Sequence, residues 1–194
     1  MKDYRYKRFI LFPLELQSKY RDRLQYLKPQ SSFRILGIKY KAVIITELTF
    51  REVTYLQKNY QKRNIFAALQ LVFKRKGKSV PKGLLIWARI TNLFAAVNYI
   101  RKELENIAWR EKQRWEPQFK DKGMSKVNTQ QLARFGNYNI AATIGERFGL
   151  TPLSVFEWEY DQIFTEVARH TAQTDVVKKY HENQRLEAER KRKK

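Results

Sequence analysis

The sequence predicts a mainly α protein: a helical hairpin, one long helix and a helix-turn-helix-like C-terminal region, with a small β element near the N-terminus. Three observations predict it. Apolar residues recur at helical spacing through most of residues 49–180. Helix-start signals stand at the heads of these runs: Thr49-Phe50-Arg51-Glu52 as a capping box, then Asn64, then Thr151-Pro152. The segment from Phe33 to Ile45 is rich in β-branched residues and follows Pro29-Gln30-Ser31-Ser32, so it reads as a strand or bent hairpin.

Taken in order, residues 1–48 form an N-terminal arm with the β-like segment. Tyr4, Tyr6 and the apolar run 9–12 suggest a short strand or an arm laid against a partner. Leu14, Leu16, Tyr20, Leu24 and Leu27 suggest a brief helix ending before Pro29. Tyr4, Tyr6, Phe9 and Phe33 alternate with Arg5, Lys7, Arg8 and Arg34, a pattern that could stack on bases beside phosphate-binding cations but is read first as amphipathic strands with snorkelling cations. Residues 49–116 form the helical core. Thr49 and Glu52 satisfy each other's exposed amides, and Phe50, Val53 and Leu56 are the buried stripe to about Tyr60. Asn64 caps a second helix bearing Ile65, Ala68, Leu69, Val72 and Phe73. A long helix is expected from Leu84 to about Trp115, ended by Glu116-Pro117; it would reach roughly 45 Å. Residues 117–128 read as a linker, and 129–194 as the helix-turn-helix-like region with a basic helical tail. No internal repeat is read from the sequence.

In 137–160, Ile140, Ile144 and Phe148 fall on one helical face, and Gly149 ends the helix in a left-handed conformation. Gly145 lets the next helix approach, and Val155 plugs the gap. That next helix is expected to run from Thr151-Pro152 through Trp158 and Ile163. It carries Glu157, Glu159, Asp161 and Glu166, which oppose a phosphate backbone, so the sequence places protein rather than DNA against it.

Net charge points to an acidic partner. There are 40 Lys and Arg against 19 Asp and Glu, +21 overall, while 43% hydrophobic residues suffice for a core. Cysteine is absent, which excludes disulfides, thiolate metal sites and a cysteine nucleophile and fits a reducing compartment. The apolar tract at 84–97 is interrupted by Arg89 and Thr91-Asn92 and is too short to span a bilayer, so no membrane association is expected. Gly77-Lys78-Ser79 lacks the earlier glycine of a phosphate-binding loop, Val72 standing in its place. Ser154 lacks a nucleophile elbow, and His170 and His181 have no further ligands at metal-binding spacing. No catalytic residue, metal or cofactor is expected.

The segment 47–74 is a capped helix followed by a helix of small and large apolar residues. Together with 135–170, where a glycine turn precedes Thr-Pro, Val, Trp and an aromatic, it resembles tail assembly chaperones of tailed bacteriophages. The resemblance covers about a third of the chain. It implies a non-enzymatic morphogenesis protein that binds a long helical, tape-measure-like partner during tail assembly or acts at the head–tail junction. The setting it implies is the host cytoplasm or the virion, with an oligomer possible. The expected protein-binding surface is Phe156, Trp158, Tyr160 and Phe164, with Trp158 equally suited to filling the core. The competing expectation is sequence-independent nucleic-acid binding through the basic loop at 74–82 (Lys74, Arg75, Lys76, Lys78, Lys82) and the tail cluster Arg190, Lys191, Arg192, Lys193 and Lys194.

Overall fold

Two dipeptides set the β element. Leu36 (φ 50°) with Gly37 (φ 82°), and Lys76 (φ 48°) with Gly77 (φ 76°), are successive left-handed residues, the turn that matches the twist of hairpin strands. In this computed structural model, which describes residues 4–62, 64–118 and 135–192, they close two hairpins. Strands β1 (Ser32–Ile35) and β2 (Ile38–Ala42) form the first; β3 (Phe73–Arg75) and β4 (Lys78–Ser79) form the second. They join through Lys41↔Lys74 and Ala42↔Phe73 into one antiparallel sheet of order β1-β2-β3-β4. The expected basic loop at 74–82 is therefore largely a hairpin.

The chain divides into two compact units, Met1–Ile107 and Ala108–Lys194. In the first, the N-terminal residues form a one-turn helix α1 (Tyr6–Phe9) rather than a strand, followed by α2 (Leu14–Leu24). Phe9, Leu24 and Ile90 are fully buried, ringed by Tyr6, Phe12, Tyr20, Leu27 and Phe94. The aromatic–cation alternation of the first residues thus serves packing: Phe9 and Phe33 are buried, and Lys7 Nζ lies 4.2 Å from the centre of the Trp87 ring. Helix α3 (Phe50–Gln61) carries the full Thr49/Glu52 capping box and buries Phe50, Val53 and Leu56. Asn64 caps α4 (Ile65–Val72), accepting from the Ala67 amide, and Phe73 leaves the helix to start β3.

The long helix expected from Leu84 is two elements. A one-turn helix α5 (Lys82–Leu85) is separated from α6 (Ile90–Trp115) by a turn at 86–89. The reason lies in the alternation of Ile86, Ala88 and Ile90 with Trp87 and Arg89: a period of two turns Ala88 and Ile90 inward while Arg89 stays exposed. Residues 4–7 hold this turn by backbone bonds, Ile90 N–H donating to Tyr4 O (2.7 Å) and Tyr6 N–H to Ala88 O (2.9 Å). Farther along α6, buried Asn98 donates from Nδ2 to the carbonyls of Leu24, Gln25 and Leu27 (2.9–3.2 Å), satisfying the open end of α2.

The second unit contains the end of α6, then α7 (Asn137–Phe148), α8 (Pro152–Val155) and α9 (Tyr160–Arg192). Gly149 ends α7 at φ 66°, as expected. A Cβ on Gly145 would lie 2.6 Å from Leu150 O, so the next segment crosses at a distance only glycine permits. Val155 fills the gap and is fully buried. The helix opened by Thr151-Pro152 lasts one turn, however. Its expected continuation is broken by a turn at 156–159, where Phe156, Trp158 and Tyr160 again alternate with acids. Of the expected linker 117–128, only residues 117 and 118 are described; Gln118 N–H donates to Asp175 Oδ2 at 2.9 Å.

These turns expose a recurrence that composition hides. Ile45, Phe50 and Val53, then Leu85, Ile90 and Leu93, then Val155, Tyr160 and Ile163 stand at the same spacing and are all at most 2% exposed. Each set comprises a short turn of helix, a sharp bend and the first buried face of a long helix. Local construction repeats three times even though side-chain identity does not.

Candidate interaction surfaces

The first surface is the outer face of the sheet. Strand alternation turns Phe33, Ile35, Tyr40 and Phe73 inward, where Phe33 meets Phe73 edge-to-face at 4.9 Å and Phe73 meets Tyr99 of α6. The same alternation puts Arg34, Lys39, Lys41 and Lys74 on the opposite face. The register sets Arg34 directly across from Lys39, Lys41 from Lys74, and Arg75 from Lys78 at the turn. No strand carries an Asp or Glu. Among the described residues none of these cations, nor Lys76, has an ion-pair partner. The sequence expectation named Lys74, Arg75, Lys76 and Lys78, and Arg34 only within the aromatic–cation alternation, but missed Lys39 and Lys41. Their only sequence signal is the alternation in 33–42; the pairing across α3 and α4 supplies the rest. Lys82 is exposed on α5, and Arg190, Lys191 and Arg192 sit in the exposed last turn of α9, where cations also suit the negative end of the helix dipole. Lys193 and Lys194 lie outside the described residues.

The second surface is the corner between α7 and α8. Phe148, Leu150 and Leu153 are exposed (46%, 39% and 65%) within six residues, and Trp158 meets Phe148 edge-to-face at 5.3 Å. Beside them lies an open cleft lined by Phe148, Trp158, Glu159, Asp161, Gln162, Thr165 and Glu166. Part of the expected protein-binding set is corrected here. Tyr160 is 1% exposed, and its hydroxyl donates to Glu111 Oε1 at 2.7 Å. Burial and that bond together hold the phenol well above its ordinary range, and burial raises the Glu111 carboxyl. Phe164 packs against Trp115, with the Arg110 guanidinium 4.3 Å above its ring. Phe156 and Trp158 remain partly exposed. The acids are not a uniform negative field either. Asp161 pairs with Arg110 at 3.0 Å, and Glu166 with Arg169 at 2.9 Å and Arg147 at 3.9 Å. What removes the DNA-reading geometry is length: a four-residue α8 is too short to lie along a major groove.

Among the described residues there is no group of three or more His, Cys, Asp or Glu placed to hold a metal ion, and no helix long and apolar enough to cross a membrane. His170 lines a small apolar pocket with Ile140, Ile144 and Val167, and His181 packs beside the Tyr180 ring. Comparison with protein-family models, with curated proteins and with solved structures gave no match.

Proposed function

We propose that the chain is a non-enzymatic assembly protein that works by binding a helical protein partner, of the kind that the resemblance to phage tail assembly chaperones implies. The observation that supports this reading most is the exposed Phe148–Leu150–Leu153 group at the α7–α8 corner, with Trp158 against it. Large apolar side chains left in water on a bend are suited to anchor a partner, and the flanking, exposed Glu159 favours one with a basic residue beside its apolar stripe. Gly145 and Gly149 fix the bend, so little ordering would be needed on binding.

The test is co-expression with a long helical, tape-measure-like phage protein. A soluble complex is expected, lost in the Phe148→Ser/Leu153→Ser double variant while circular dichroism stays unchanged. A complex indifferent to those substitutions would remove this surface; no complex with that protein would remove the chaperone reading.

A further inference from the structure

We infer that the outer face of the sheet binds the phosphate backbone of a nucleic-acid duplex, through Arg34, Lys39, Lys41 and Lys74 with Arg75, Lys76 and Lys78 at its end. This goes beyond the protein-contact reading and does not rest on it. Like charges placed directly opposite each other on neighbouring strands destabilise a sheet. Here Arg34 faces Lys39, Lys41 faces Lys74 and Arg75 faces Lys78, with no carboxylate on any strand and no ion pair to any of them among the described residues. Lysines on edge strands commonly guard against edge-to-edge aggregation. That explanation fails for Lys41 and Lys74, which are paired with each other between the two inner strands β2 and β3. Such a face calls for densely spaced anions, and a duplex supplies one charge per ~1.7 Å of its axis.

The chemistry of the face narrows the partner. An anionic bilayer would favour apolar or aromatic side chains among the cations, and a single strand would favour aromatic platforms for its bases. The outward positions offer only Ser32, Arg34, Lys39, Lys41, Lys74 and Ser79, while Phe33, Tyr40 and Phe73 are buried on the other side. Contacts of this kind position a phosphate backbone without reading sequence.

The test uses the full chain and short random-sequence duplexes, with fluorescence anisotropy across a salt series. Duplex binding at low salt is expected, with affinity falling linearly in log–log form. The Lys39→Ser/Lys41→Ser/Lys74→Ser variant should lose about tenfold or more in affinity and flatten the salt slope by about 0.9 per contact removed, about 2.7 in all. A Lys112→Ser/Lys178→Ser/Lys179→Ser variant, with its changes in α6 and α9, matches the charge change and should keep the slope nearer to that of the parent. Lys41→Glu guards against misfolding as an explanation: a carboxylate opposite Lys74 should raise the melting temperature while it weakens duplex binding. Equal losses from the two triple variants would reduce the effect to net charge and overturn the site. So would absent duplex binding at low salt, tighter binding to a single strand of equal length, or tighter binding to phosphatidylserine vesicles.

Discussion

The corners at 81–93 and 151–163 share a backbone course and almost nothing else. Each has a four-residue helix, a bend, and a long helix whose first residues are buried. The first is built on Leu85, Ile90 and Leu93, the second on Val155, Tyr160 and Ile163. Around these positions the charge reverses. Lys82 and Arg89 flank the first bend, and Glu157 and Glu159 flank the second. Three buried apolar positions are therefore what the two bends have in common, while the solvent side differs and is free to choose a partner. The strongest way to break this view is to empty those positions. Leu93→Ala and Ile163→Ala should each cost about 2–5 kcal/mol by denaturant unfolding, since both leave a cavity at a fully buried site. A loss below about 1 kcal/mol at either would show that its bend is held by something else.

Glycine use sharpens the contrast. A Cβ at Gly145 would press on Leu150 O at 2.6 Å, a backbone atom with little freedom to retreat, so Gly145→Ala should cost about 1–3 kcal/mol. Gly83, in the one-turn helix of the first corner, has nothing within 4 Å of its would-be Cβ and no positive φ. Gly83→Ala should be neutral or slightly stabilising, by less than about 1 kcal/mol. Thermal melts of the two variants would separate a glycine kept for close approach from one that is not.

Much of this was legible in sequence wherever the cause is local. Thr49 with Glu52, Asn64, Gly145 and Gly149 each act on residues within five positions, and each does in the structure what its chemistry predicts. The bends at 86–89 and 156–159 were hidden because a period of two lasting five residues is easily absorbed into a helical stripe on either side. The sheet face was hidden for another reason. Lys41 meets Lys74 across two intervening helices, and nothing near either residue announces the pairing. Asn98 is the same case: its three carbonyl partners lie more than seventy residues away. Tyr160 was misread as a surface anchor because an aromatic beside acids looks solvent-facing until Glu111 is brought to its hydroxyl.

That Glu111–Tyr160 pair gives the second corner a pH dependence for which the first has no counterpart, Ile90 standing where Tyr160 does. Burial raises the Glu111 carboxyl above its ordinary 4.5 in the fold, so the unfolded chain loses this proton first. The contribution of this group is therefore fully present below pH 4.5 and is lost as pH rises through the elevated folded value. Glu111→Gln keeps an acceptor for the tyrosine and removes the charge. It should flatten that part of the stability–pH curve and leave the variant at least as stable as the parent at neutral pH. A parent curve that instead rose through this window, with the variant's curve parallel to it, would assign the dependence to other carboxylates.

The smallest expected effect tests whether charge contributes to the second corner at all. Asp161 is bonded to Arg110 at 3.0 Å, but both side chains are substantially exposed (57% and 37%), so solvent screens the pair. Arg110 is also seated over the Phe164 ring at 4.3 Å and would stay there without the carboxylate. Asp161→Asn should therefore cost less than about 1 kcal/mol, and the cost should shrink further in added salt. A larger loss that persisted in salt would mean that the bend leans on its ion pairs rather than on Val155, Tyr160 and Ile163. In that case the likeness between the two corners would be one of outline, with different forces behind it.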